Sequence, residues 1–425
     1  MNEDFFAAMR RATSSTRALN LTEATAIIQA ALAGRPASVE PTAADPDILP
    51  PSPGHRQMSP GHRQKPFEVH PEAEIIDVET GQDAQTHAAA QRAGPHERQR
   101  RPLHEVVRML REGRGSAFGA VAEGPLAGMA KPRRPPAIAA GAQFLSRSFS
   151  CAAGTRSFKL YIPASAPENP RGLVVMLHGC KQDPDDFATG TGMNTAAEAH
   201  GLLVAYPAQT GIENSASCWN WFRPTDQKHG VGEPSIIAGL TERLISEYGL
   251  DRRRVFVAGL SAGGAMAAIM GETYPDLYAA VGIHSGLAYG SANDVMSALA
   301  AMRGDATAFS GQCRGKSAAS QVRTIVFQGS SDRTVHPSNA DRIVASASAT
   351  NTHSAPQTHK ARSDGGRRYT RTRYIDEQGI PTLEYWLVDQ AGHAWSGGHP
   401  SGSFTDPSGP DASHEMLRFF LGTDG

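Results

Sequence analysis

Long hydrophobic runs are missing from this chain of 425 residues. No stretch approaches the roughly 20 apolar residues that a membrane-spanning helix needs, so no membrane span is expected. Net charge is nearly absent as well. Lys and Arg number 41 against 42 Asp and Glu, a balance of −1, which gives no electrostatic reason to expect nucleic-acid binding. Cysteines are few. Cys151, Cys180, Cys218 and Cys313 are the four, none in a C-x-x-C pair, so a zinc ribbon is not expected and no metal site is read. Four thiols allow two disulfides in three pairings, and the count does not decide the compartment. The first residues, MNEDFFAAMRRATSS, put acidic groups first, and no uninterrupted apolar core follows. That is not a Sec-type signal peptide, and a cytoplasmic location is favoured.

Glycine (43) and proline (29) are plentiful, so part of the chain is expected not to pack. Residues 1–34 carry apolar side chains at helical spacing, with Thr22 as a helix N-cap and Gly34 as a stop. Such a helix docks on the rest of the chain or binds a partner. Residues 35–136 read as a largely disordered linker, rich in Pro, Ala, Gln, His and Asp, with PGHRQ occurring twice. Its later part is basic: residues 91–135 hold ten Lys and Arg against four Asp and Glu. This is a solvated tail or a contact for an anionic surface or nucleic acid.

The texture changes near residue 137, where a domain running to 425 is expected. GLVVMLHG, GLLVAYPAQ, RVFVAGLS, AAVGIHSG, RTIVFQGSSD and LEYWLVDQAGHAW are short apolar runs closed by turn residues. Helical stretches are expected at 192–200, 234–249, 262–274 and 413–421. Buried strands alternating with helices predict an α/β fold, a mostly parallel sheet with helices on both faces.

Gly259-Leu260-Ser261-Ala262-Gly263 fits G-x-S-x-G between an expected strand and an expected helix. In that context the serine stands on a tight turn with its hydroxyl clear of the sheet, and the glycines prevent clashes across the turn. A serine nucleophile needs a base, and the base needs an orienting carboxylate. Asp332 follows one strand and His393 follows the last, in the order Ser, Asp, His. Asp332 also suits a simple turn cap. Asp389 is a rival carboxylate, and His178, His284 and His336 are rival bases. An oxyanion hole would take the N–H of Ala262 and a second N–H from LHGCKQD, where Cys180 is the chosen position. The Cys180 side chain is then free to pair with Cys218 or to remain a thiol. Trp219, Trp221 and Trp395 fall in loops near this constellation, as a substrate surface or as core filler.

LHGCKQDPDDF, SCWNWF, VAGLSAGGAMA, GSSDRTVHP and GHAWSGGHPSGSFTDPSGPDASHEMLRFF together resemble the polyhydroxybutyrate (PHB) depolymerase family of esterases. The resemblance covers about residues 140–422 and implies an α/β-hydrolase fold and a serine esterase without metal or cofactor. It implies Ser261 as nucleophile, Asp332 as acid, His393 as base, Cys180 at the oxyanion position, and Trp219, Trp221 and Trp395 near the site. The implied substrate is a short-chain hydroxyalkanoate ester, polymeric or oligomeric, with acetyl or feruloyl esters of polysaccharides as the alternative. Many members are secreted, whereas this chain carries a long polar extension. That extension is expected to contact a polymer or granule surface if it binds anything, and a granule-binding protein with secondary esterase activity is a further reading. No separate substrate-binding domain is read after the catalytic one.

Overall fold

Six apolar runs supply the central strands of one eleven-stranded sheet. The computed structural model describes residues 74–77, 135–305, 322–349 and 355–422. The helix expected in residues 1–34, and Cys313, lie outside the described residues.

The sheet comprises β1 (Glu74–Asp77), β2 (Gln143–Cys151), β3 (Gly154–Ile162), β4 (Leu173–Leu177), β5 (Leu203–Pro207), β6 (Val255–Leu260), β7 (Ala280–His284), β8 (Arg323–Gly329), β9 (Gln357–Arg362), β10 (Arg368–Ile375) and β11 (Pro381–Val388). Their spatial order is β1-β2-β3-β5-β4-β6-β7-β8-β11-β10-β9. From β5 through β11 all pairings are parallel. Antiparallel strands flank this block, β3, β2 and β1 on one side and β10 and β9 on the other. Within residues 35–136, only Glu74–Asp77 are described; they pair along β2 at the edge of the sheet.

Every residue of β4, β5, β6 and β7 is buried, which explains why these segments read as continuous apolar runs rather than alternating ones. Alternate residues still go to opposite faces. Val255 and Val257 join one core cluster, and Phe256, Ala258 and Leu260 join the other. The first cluster is closed by α3 (Gly232–Tyr248), α4 (Ala262–Thr273), α5 (Val295–Met302) and α6 (Ser338–Ser348). The second is closed by α1 (Pro184–Thr191), α2 (Met193–His200) and α7 (Ala412–Leu421). The expected sheet with helices on both faces is therefore present, in an arrangement of α/β-hydrolase type. Among the described residues no helix is long and apolar enough to cross a membrane.

One topological feature positions the site. After β4 the chain moves outward to β5, then returns to place β6 on the other side of β4. Connections therefore diverge at the carboxyl ends of β4 and β6, where open α/β sheets leave a crevice. The loop carrying Cys180 leaves β4, and the turn carrying Ser261 leaves β6.

Candidate active site

Ser261 sits between β6 and α4 with φ 58° and ψ −118°, a conformation L side chains rarely adopt. Close packing permits this turn only with glycine on either side. A Cβ on Gly263 would lie 2.0 Å from the Leu177 carbonyl oxygen, and one on Gly259 would lie 2.4 Å from the Gly263 carbonyl. The Ser261 N–H is tied to the His284 carbonyl at 2.9 Å. The residue is 8% exposed. Ala262 is the first residue of α4, so its N–H has no partner within the helix.

The loop after β4 comes against this turn. A Cβ on Gly179 would be 3.5 Å from the Ser261 Cβ. Cys180 is disulfide-bonded to Cys218, which resolves the alternative left open for those two thiols. Lys181 adopts φ 65°, and its N–H donates to the Ala216 carbonyl at 2.8 Å. Underneath, His178 Nδ1–H donates to the Gly179 carbonyl at 2.8 Å, and its Nε2 accepts the Gln209 N–H at 3.0 Å. Burial pushes the His178 pKa down, so the ring is neutral and both nitrogens are occupied. Gln209 and Asn220 in turn donate to the buried carboxylate of Glu233. Burial raises the pKa of Glu233 and the charge of Asp226 adds to it, against the hydrogen bonds from Asn220 and the charge of Arg156.

Asp332 and His393 meet across two stitched loops. The Ser330 N–H donates to the Val388 carbonyl, and the Ser331 N–H to that of Ala391, both at 2.9 Å. This brings His393 Nδ1 to 2.8 Å from Asp332 Oδ2. The other oxygen, Oδ1, accepts the N–H groups of Thr334 and Val335, each at 2.9 Å. The carboxylate is both turn cap and histidine partner, one oxygen for each role. Burial alone would raise its pKa, but the hydrogen bond and charge of His393, with the two amides, outweigh burial and hold it below the usual range. Asp389 is not the partner of His393.

The rival bases are otherwise engaged. His284 is 2% exposed; its Nε2 accepts the Ser396 N–H at 2.9 Å, and its Nδ1 meets Ser285 Oγ at 3.2 Å. Burial, with the nearby His393, pushes its pKa down to about 3. His336 Nδ1 contacts Ser338 Oγ at 3.0 Å. Trp219 and Trp395, 0% and 1% exposed, are enclosed rather than open to a ligand. Trp219 packs on His178, and Trp395 stacks on His284 with ring centroids 5.0 Å apart. Trp221 is also buried, edge-on to Phe222. The three tryptophan rings, expected as a substrate surface or as core filler, are packed against His178, His284 and Phe222. Sequence reasoning passed over Gln209, Glu233 and the anchoring role of His284, since no motif marks a buried polar brace. Among the described residues no group of three His, Cys, Asp or Glu could hold a metal ion.

Residues 156–374 match the family model described as Esterase PHB depolymerase, a stretch that includes Ser261 and Asp332 and stops before His393. The chain is 32% identical over 248 residues to poly(3-hydroxyalkanoate) depolymerase C of Paucimonas lemoignei, covering 55% of this chain and 57% of that protein. It is 30% identical over 279 residues to poly(3-hydroxybutyrate) depolymerase of Ralstonia pickettii, covering 61% and 55%. Acetylxylan esterase A of Talaromyces purpureogenus is 32% identical over 206 residues, covering 44% and 51%. The matched part spans little more than half the length of each of these relatives. With its family model matched from β3 into β10, across the serine turn and the Asp332 loop, the chain belongs to the Esterase PHB depolymerase family.

Proposed function

We infer that residues 137–425 form a serine esterase domain that hydrolyses short-chain hydroxyalkanoate esters. The observation that carries this reading is the 2.8 Å contact of His393 Nδ1 with Asp332 Oδ2, on the same sheet edge as the strained Ser261 turn. In the mechanism, His393 Nε2 takes the Ser261 hydroxyl proton as Oγ bonds to the ester carbonyl carbon. Asp332 fixes the ring so that Nε2 is the free nitrogen and stabilises the imidazolium. The carbonyl oxygen becomes an oxyanion held by the N–H groups of Ala262 and Cys180, a type of donor whose loss costs roughly 10²–10³ in turnover. The carbon–alkoxy bond then breaks, and the leaving oxygen takes the proton from His393. Water, deprotonated by His393, attacks the acyl-serine. The acid leaves as Ser261 regains its proton.

The names of the relatives support both candidate substrates, polyhydroxyalkanoates first and acetylated xylan second. The test is hydrolysis of p-nitrophenyl butyrate and clearing of amorphous PHB by wild type and Ser261→Ala. Wild type should do both and the variant neither. Cleavage of the soluble ester alone would move the assignment to acetyl or feruloyl esters. An active Ser261→Ala would remove the serine mechanism altogether. Deleting residues 1–135, which also removes the four-residue edge strand β1, should leave turnover on the soluble ester; loss of PHB or granule association alone would assign surface contact to the extension.

A further inference from the structure

The loop after β11 displays an aromatic ring that its own packing does not require. Phe404 is 43% exposed, and its φ of 51° puts a bulky residue in the left-handed region, where Cβ crowds the backbone. Such a conformation persists only where neighbouring contacts over-determine it. Here they do. The Phe404 carbonyl accepts the Trp395 N–H at 2.7 Å. The preceding residue, Ser403, donates its N–H to Asp186 Oδ1 at 3.0 Å and bonds the same carboxylate through its hydroxyl. Its carbonyl accepts Gln182 Nε2 at 3.2 Å. Gln182 Oε1 accepts the Gly179 N–H at 2.9 Å, inside the Cys180 loop. Phe404 is therefore held by the same two loops that carry Cys180 and His393. Its ring stands edge-on to that of His393, centroids 6.5 Å apart at 75°.

We propose that Phe404 is a specificity-determining residue, an apolar wall for the alcohol portion of the ester. This rests on the reading of His393 as general base and acid. In that mechanism the departing oxygen must come within hydrogen-bond reach of the imidazole to take its proton. The first carbons of the alcohol portion then lie beside that ring, where Phe404 offers exposed apolar surface. The acyl portion is bonded instead to Ser261 Oγ. The ligand class is an ester whose alcohol portion carries an apolar chain of several carbons, as a hydroxyalkanoate unit does.

The test compares methyl and butyl butyrate with wild type, Phe404→Ala, Phe404→Leu and Ser261→Ala. Wild-type kcat/KM should favour the butyl ester. Phe404→Ala should lose roughly tenfold on butyl butyrate, in line with the worth of small apolar contacts, and little on methyl butyrate. Phe404→Leu should restore most of the preference. An equal loss on both esters, or an unaltered butyl-to-methyl ratio, would overturn the proposal while leaving the esterase reading intact. Wild-type turnover in Ser261→Ala would instead bring down the underlying mechanism. Phe404→Gly removes the conformational conflict, so it should fold with a Tm at or above wild type while showing the same loss of butyl preference.

Discussion

The carbonyl of His284 accepts the N–H of Ser261 at 2.9 Å, so the strand beside the serine turn also steadies it. The side chain of the same histidine accepts the N–H of Ser396, three residues beyond His393. One buried residue thus anchors both halves of the candidate site. His284→Phe keeps a ring between Trp395 and Phe327 but leaves the Ser396 N–H unpaired. It should cost about 1–3 kcal/mol of stability, measured by urea unfolding. It should lower kcat by up to roughly 10²-fold, the scale of a small displacement of a reacting group. An unchanged kcat would remove the anchoring role.

Acid should destabilise the protein before carboxylates titrate. His178 and His284 are buried and neutral, whereas an unfolded histidine titrates near about 6.5. Their folded pKa values are depressed, so their contribution is complete above that value and is lost as pH falls toward the folded pKa, about 3 for His284. His284 should add a slope of roughly 1.4 kcal/mol per pH unit below pH 6.5, and His178 should add to it in the same direction. Unfolding free energies at pH 7, 6 and 5 would show it, and replacing either histidine should remove its share of the slope.

Asp332→Asn should lower kcat by roughly 10⁴, because the amide no longer fixes the imidazole tautomer. The Asp332 pKa is depressed in the folded state. Its stabilisation is therefore present above about pH 4 and is lost as pH falls through the folded value. The Tm gap between variant and wild type should be larger at pH 7 than at pH 3. Equal gaps would mean that the carboxylate charge contributes nothing to folding.

The Cys180–Cys218 bridge closes a separation of 38 residues, for which chain entropy suggests roughly 4 kcal/mol. The double alanine variant should lose unfolding free energy of that order, measured by urea denaturation. It should retain some turnover, since the Cys180 N–H remains. Complete loss of turnover in a folded variant would show that the bridge itself sets the loop geometry.

Gly263→Ala should fail to fold or lack activity, since its Cβ would meet the Leu177 carbonyl oxygen at 2.0 Å. Gly264→Ala should be milder, its Cβ meeting the nearest oxygen at 3.0 Å. Soluble yield and Tm of the pair would check the order, and equal behaviour would contradict the close approach described for the serine turn.

The parallel core was legible because β4 to β7 are buried on both faces, and burial of that kind leaves continuous apolar runs. The helices α2, α3, α4 and α7 were readable from their spacing. The helices α1, α5 and α6 were passed over, as were the outer strands β9 and β10, whose polar residues carry no such run. The G-x-S-x-G turn was legible because its residues are contiguous in sequence, although the closest approach at Gly263 is to the distant Leu177 carbonyl. The pairing of Asp332 with His393 could only be expected from chain order. It depends on two loops stitched across 61 positions, which nothing local encodes.

Sequence alone determined the fold class, the serine turn and the shortlist of partners, because apolar periodicity and turn chemistry are local. Only the tertiary structure decided which histidine meets Asp332 and that His178 and His284 are buried braces. It also enclosed the tryptophans while leaving Phe404 exposed. Those outcomes depend on which surfaces remain after distant segments pack, and packing is a property of the whole sheet.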